Sequence, residues 1–169
     1  ACDEGIILSS KNPGIHLKLA RKSKKIYQKI NRRFEEDLEF QESGGMILIE
    51  EESQLSILKD FVFRKREEGL DISLINRQKI KELQPHLESN LVGAVYCKED
   101  SQINPLNTTL AFAHHAQKQG ARIIRNTSVE DIDIKKGEIR AVKTEKGKIA
   151  AEKVINTAGA WAPKISKMA

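Results

Sequence analysis

Apolar positions fall into short runs and one-sided stripes along this chain. Gly5-Ile6-Ile7-Leu8 is a short apolar run that predicts a buried strand, and Ser9-Ser10-Lys11-Asn12-Pro13-Gly14 after it is a polar, turn-prone loop. Ile15, Leu19, Ile26, Ile30 and Phe34 recur at helical spacing with lysines and arginines on the other sides. They predict a long helix from about Gly14 with that stripe turned inward. Residues 38–41 predict a strand, Ser43-Gly44-Gly45 a turn, and 46–49 a fully apolar strand of the kind buried in the middle of a sheet. A second helix is predicted over 53–68, burying Leu55, Leu58, Phe61 and Val62, with Gly69 as its left-handed C-terminal cap. Residues 71–75 follow as a strand. Asn76 can cap a short helix carrying Ile80 and Leu83, which Pro85 stops. Residues 91–97 are apolar on both faces apart from Tyr96.

Asn104-Pro105 is the clearest helix start. The Asn side chain can accept from the first free backbone N–H groups, and proline tolerates the first helical position. That helix is expected to bury Leu106, Leu110 and Ala113 and to end at Gly120. A strand over 122–124 then completes a strand–helix–strand unit. A meander over 128–134, 139–144 and 149–155 turns at Lys135-Lys136-Gly137-Glu138 and Glu145-Lys146-Gly147-Lys148, where glycine supplies positive φ. A short helix closes the chain. The pattern predicts an α+β fold: a mixed sheet with flanking helices, plus a three-stranded antiparallel meander. The first and last elements look cut.

Composition narrows the class. With 39% hydrophobic and 31% charged residues a sizeable core is available and wholesale disorder is excluded. No run of eighteen apolar residues occurs, so no membrane-spanning helix is expected, and neither end reads as a secretory signal. Cys2 and Cys97 are too few for a disulfide scaffold, and the neighbours His114 and His115 do not make a metal site, so no metal is expected. These features point to a soluble domain of a reducing compartment, the cytoplasm. The net charge of +5 is segregated: nine Lys or Arg and no acid lie between Lys11 and Arg33, and eight Asp or Glu and no base between Glu35 and Glu52. A basic helix could serve a binding module for nucleic acid or an acidic protein surface. A solvated helix face is favoured, because aromatic residues for base stacking are only 5% and Tyr27 alone interleaves the stripe. There is no G-x-G-x-x-G turn, no P-loop and no Ser/His/Asp set.

Four stretches carry chemistry together. Asn156-Thr157-Ala158-Gly159-Ala160-Trp161-Ala162 follows an expected strand with residues small enough for main-chain atoms to approach a ligand, or simply for close packing. With Glu42-Ser43-Gly44-Gly45-Met46-Ile47-Leu48, with Gly93-Ala94-Val95-Tyr96-Cys97 running on to Asp100-Ser101-Gln102-Ile103-Asn104-Pro105, and with the stretch 111–124, it resembles, in order and spacing, the FAD-dependent amino-acid oxidase family. That family includes glycine oxidase, D-amino-acid oxidase, and the sarcosine oxidase and proline dehydrogenase β-type subunits. The resemblance covers nearly the whole chain. It implies a middle segment: 1–125 as a substrate-binding-type region with part of the cofactor-domain interface, and 126–169 as the meander and return strand of an incomplete FAD-binding domain.

Carried over by position, the resemblance implies a main-chain contact to adenine at Val129. It implies Ala158, Gly159 and Ala160 along the pyrophosphate and ribityl region. Ser10, Lys11 and Asn12 fall on a loop beside the isoalloxazine ring, where Pro13 and Ile15 replace small residues of the commoner form. Gly44 and Met46 are candidates for the substrate pocket, with plain core packing an equal alternative. The implied reaction is oxidation of the C–N bond of a small amino or imino acid by hydride transfer to the flavin. The partners would be that substrate and the remainder of the flavoenzyme or a partner subunit. If the acceptor is a quinone, the enzyme would lie peripheral to the inner membrane. FAD is expected in the intact protein and not on this segment alone, which is expected to be inactive by itself.

Overall fold

Strand β4 (Gly93–Cys97) organises the first part of the molecule. In the computed structural model, which describes residues 4–87 and 90–169, β4 is the middle of a three-stranded antiparallel sheet, between β2 (Gly45–Ile49) and β3 (Ile72–Ile75). Its side chains alternate between two cores, as strand geometry requires. Val95 and Cys97 join Leu8, Leu17, Val62, Leu70 and Ile72 on one side, while Ala94 meets Ile80 and Leu91 on the other. The middle position expected for 46–49 is therefore corrected. β2 is an edge strand, and of its apolar residues Ile47 and Leu48 are exposed and Ile49 is buried. An uninterrupted apolar run does not separate an edge from a centre. Close approach does, and a Cβ on Gly93 would lie 3.0 Å from the Ile75 carbonyl.

Helix α1 (Ile15–Arg33) forms where expected but turns a different face inward. Leu17 is 1% exposed, whereas Ile15, Leu19 and Ile26 are 64%, 58% and 49% exposed. Two stripes satisfy helical spacing in this sequence, and the one that packs, Leu17, Ala20, Lys24 and Tyr27, contains a lysine and so reads as polar. Ile30 and Phe34 do pack inward, with Leu38, Ile103 and Ala111. The same rotation occurs in α4 (Pro105–Lys118): Thr108 and Ala111 are buried, Ala113 is half-buried, and Leu106 and Leu110 face out. Asn104 caps α4 as expected, accepting from the Leu106 and Asn107 N–H groups at 3.0 Å.

Local signals held elsewhere in this part. α2 (Gln54–Glu67) buries Val62, half-buries Leu58 and Phe61, and is followed by Gly69 at φ +74°. Asn76 caps α3 (Arg77–Leu83), accepting from Lys79 N–H at 2.9 Å. β1 (Gly5–Ile6) pairs antiparallel with β5 (Ser101–Gln102). The strand expected over 38–41 is absent apart from one bridge, Gln41 to Gln102, although Leu38 is buried. Glu39 sits at φ +52°, a left-handed conformation that interrupts a ladder.

The chain divides into two compact units, Ala1–Gln119 and Gly120–Ala169. The second is the meander: β6 (Val129–Lys135), β7 (Glu138–Thr144) and β8 (Gly147–Ala150), in that order and antiparallel, around buried Ile132 and Ala141. Lys136 and Gly137 both take positive φ, +55° and +77°, the geometry that matches the twist of a two-residue hairpin. The strand expected at 122–124 is not formed, so the strand–helix–strand unit lacks its last member, and the third meander strand stops at Ala150, leaving Ile155 87% exposed. A strand needs a hydrogen-bonding neighbour; beyond the single bond from Ala151 N–H to the Arg140 carbonyl at 3.1 Å, neither segment has a ladder partner among the described residues. A 3-10 turn (Gly159–Trp161) leads into the short helix α5 (Ala162–Ser166). The class is α+β, and every strand pairing among the described residues is antiparallel.

Candidate functional site

The loop after β1 is held from two sides by buried charges. Asp100, 4% exposed, follows β4 and receives the loop's entry. Its Oδ1 accepts from the Leu8 and Ser9 N–H groups at 2.7 and 3.0 Å, and its Oδ2 accepts from the Ser9 hydroxyl at 2.6 Å. A buried carboxylate without such donors would be strongly destabilising. On the other side Lys65, also 4% exposed, comes from the last turn of α2. Its Nζ donates to the Lys11 carbonyl and lies 5.0 Å from the centre of the Phe61 ring. Burial lowers the pKa of this ammonium, with the Asp100 carboxylate pulling the other way. Cys97 is a neutral, inert thiol: burial, reinforced by Asp100, pushes it up to about 12.

Within the loop, Lys11 N–H donates to the Leu8 carbonyl at 3.1 Å and the Ser10 hydroxyl to the Ile7 carbonyl at 3.2 Å. The Asn12 carbonyl accepts from Leu17 N–H at 3.2 Å in the first turn of α1. Ser10, Lys11 and Asn12 are thus exposed residues on an internally tied backbone. Beside the loop, a cavity of about 250 Å³ is lined by Ile6, Leu8, Lys11, Tyr27, Ile103 and Thr108 among others.

Of the other residues singled out in this unit, Gly44 takes φ +74°, and a Cβ there would come within 2.5 Å of the Tyr96 Oη. Only glycine suits both the turn and the ring. Met46 is half-buried against Ile80, Leu91 and Ala94. The basic helix spends part of its charge on structure. Arg21 donates to the Glu68 and Gly69 carbonyls and to Glu99, and Lys24 donates to the Glu99 carbonyl at 2.7 Å while pairing with Glu42 at 2.8 Å. The hydrogen bond from Lys24 holds the Glu42 carboxyl below the usual carboxylate range.

In the second unit, Val129 opens β6 opposite Thr144, just before an irregularity in register. Asn156 organises the small-residue turn, its Oδ1 accepting from Ala158 N–H at 3.2 Å and its Nδ2 donating to the Ala162 carbonyl at 2.8 Å. Gly159 takes φ +56° with no atom within 4 Å of where a Cβ would stand. Gly159 and Ala160 are exposed and Ala158 is half-buried. The main chain at 158–160 is therefore open to a ligand, and these residues fit a group that approaches backbone closely, as a dinucleotide does.

Sequence reasoning missed Asp100 and Lys65 as organisers of the loop. Asp100 stands in a quoted motif without an assigned role, whereas Lys65, between Arg64 and Arg66, gives no local signal at all. A further cluster lies at the end of α4. His114 Nδ1 and His115 Nε2 meet the two oxygens of Glu36 at 2.5 and 3.0 Å, and Phe34 stacks on His115 with ring centres 3.7 Å apart. The hydrogen bond to His114 lowers the Glu36 carboxyl to about 2. Among the described residues no group of three or more His, Cys, Asp or Glu is placed to hold a metal ion, and no helix is long and apolar enough to cross a membrane.

A family model described as FAD dependent oxidoreductase (DAO) matches residues 4–169. The chain is 31% identical over 159 residues to the mitochondrial pyruvate dehydrogenase phosphatase regulatory subunit of Mus musculus, covering 94% of this chain and 18% of that protein. It is 27% identical over 134 residues to the mitochondrial sarcosine dehydrogenase of Mus musculus, covering 76% and 15%. Its fold is similar to the crystal structure of L-proline dehydrogenase from P. horikoshii, with a TM-score of 0.90 and 27% identity over 99% of this chain and 44% of that one. The chain spans less than half of each of these proteins.

Proposed function

The chain belongs to the family of FAD dependent oxidoreductases, and from that membership we propose that it is the substrate-side segment of an enzyme oxidising the C–N bond of a small amino or imino acid. The names of the similar sarcosine and proline dehydrogenases support that substrate class. The observation that carries the reading is the loop 8–12, whose backbone is tied down while Ser10, Lys11 and Asn12 stand exposed.

In this proposal residues 1–125 form the substrate-binding-type region and 126–169 belong to the FAD-binding domain. Ser10, Lys11 and Asn12 offer hydrogen bonds and a positive charge to the isoalloxazine ring. The Val129 main chain meets the adenine, and the bare backbone at Ala158, Gly159 and Ala160 lets the pyrophosphate and ribityl chain approach. Gly44 and Met46 lie on the substrate side. Bound FAD supplies the two-electron acceptor for the oxidation. The sequence carries no glycine-rich turn of the G-x-G-x-x-G type, so in this reading the segment alone does not hold the cofactor and is inactive. The arginine that would pair with a substrate carboxylate is assigned to another part of the enzyme. A reducing compartment such as the cytoplasm accords with the buried free thiol of Cys97.

The test is made on the full-length protein. Purified with its flavin and mixed anaerobically with sarcosine, proline or glycine, it is expected to lose its visible flavin absorbance with at least one of them. A protein that neither carries nor takes up flavin overturns the reading. A flavin that none of the amines bleaches favours a second reading, a non-catalytic regulatory role, which the name of the mouse phosphatase regulatory subunit suggests.

A further inference from the structure

We propose that Lys65 and Asp100 are positioning residues which set the peptide orientations of the loop 8–12, and that through them the Asn12 N–H and the side chains of residues 10–12 are presented outward as one rigid polar edge toward the flavin. This rests on the reading above that the loop faces FAD.

The two residues act on opposite ends of the loop with opposite chemistry. Asp100, an acceptor, draws in the N–H groups of Leu8 and Ser9 and the Ser9 hydroxyl. Lys65, a donor, draws in the carbonyl of Lys11. The described chain contains no cis peptide, and in a trans peptide the C=O and the following N–H point in opposite directions. With the Lys11 carbonyl turned in to Lys65, the Asn12 N–H is turned away from it. At the entry the order is reversed, because there the N–H groups face inward.

The clamp also has a steric condition. A Cβ on Gly45, the first residue of β2, would lie 2.7 Å from Asp100 Oδ2, so the carboxylate occupies this place only because the residue facing it is glycine. Gly44 N–H donates to the Asp100 carbonyl at 3.0 Å, which ties the same residue to the start of β2. Replacing either charge by an apolar group would leave buried loop polar groups without partners. The loop would then re-form with different peptide orientations at the same place in the fold.

The experiment uses the full-length holoprotein and four substitutions: Lys65→Met, Lys65→Arg, Asp100→Asn and Ser9→Ala. The readouts are the flavin absorption spectrum, the flavin reduction potential, and the rate of flavin reduction separated from substrate affinity. Lys65→Met and Asp100→Asn are expected to shift the spectrum and potential and to slow reduction by roughly tenfold or more, with substrate affinity nearly unchanged. Lys65→Arg, which keeps a cationic donor, is expected to restore most of the rate. Ser9→Ala removes only one hydroxyl, and its smaller spectral shift carries the test if Lys65→Met does not fold. Flavin-loaded variants with wild-type spectrum, potential and reduction rate overturn the inference while leaving the family reading intact. A wild-type protein without flavin overturns the reading beneath it.

Discussion

Glu36 shows how one side chain can tie together segments that lie far apart in the sequence. Its two oxygens take a ring nitrogen from each of His114 and His115, and Phe34 lies flat against His115, so the end of α4 is fastened to the segment that leaves α1. The carboxyl falls from its ordinary 4.5 to about 2, chiefly through the His114 hydrogen bond. A carboxyl whose pKa is depressed on folding adds stability that is complete above its unfolded value and is lost as pH falls through its folded value. The contribution of Glu36 is therefore expected to disappear between pH 4.5 and about 2. Urea unfolding at a series of pH values checks this. Glu36→Gln should be less stable than wild type at neutral pH and should lose less stability across that acid window. Parallel acid limbs for the two proteins would show that the carboxylate contributes nothing there.

At the scale of elements, caps and turns were legible in the sequence and faces and partners were not. Asn76, Asn104, Gly69 and Gly137 each act on backbone groups within a few residues, so identity and position alone determine what they do. The inward face of α1 depends on what lies opposite it. Lys24 is buried because Glu99 and Glu42 are there to receive it, and no local pattern announces that. Strands 122–124 and 151–155 fail for a related reason, since a strand is a property of a pair. The organisers of the candidate loop were hidden by distance: Lys65 reaches a carbonyl 54 residues away. The orientation of α1 has a direct test by denaturant unfolding. Leu17→Ala is expected to cost about 2–5 kcal/mol, and Leu19→Ala, on the exposed side, about 0.5 kcal/mol or less. The reverse order would mean that the stripe read from spacing is the buried one after all.

At the scale of the whole molecule, the chain divides into Ala1–Gln119 and Gly120–Ala169, and each unit has its own test. In Gly120–Ala169 the open backbone at Gly159 is the most specific feature. No atom stands near its missing Cβ, so a valine there meets no clash within the described chain, and its φ of +56° adds backbone strain of about 1–2 kcal/mol. In the full-length protein Gly159→Val is expected to abolish flavin binding while the protein stays folded. The flavin-to-protein ratio and a thermal melt, read together, check this. Undiminished flavin content would show that the cofactor does not pass over this turn. The basic helix is less exposed as a charge surface than its sequence suggests, because Arg21 and Lys24 are bound to carbonyls and carboxylates of their own unit.

The Asp100 carboxylate also has a consequence for the order in which the chain is assembled. It binds residues that precede it by 92 and 91 positions, and closing so long a loop comes late compared with forming a hairpin or a helix turn. Until β4 is in place and its following turn has met Leu8 and Ser9, only local hydrogen bonds, Lys11 N–H to the Leu8 carbonyl and the Ser10 hydroxyl to the Ile7 carbonyl, hold the entry of the loop. Lys65 cannot substitute for that contact, since it holds only the exit. The polar edge offered by residues 10–12 is thus expected to gain its Asp100 contact after the local helices and turns of its unit, and a chain emerging in sequence order would lack that contact until residue 100 had been synthesised. If the loop faces FAD as proposed, cofactor uptake there would register that the first unit has closed.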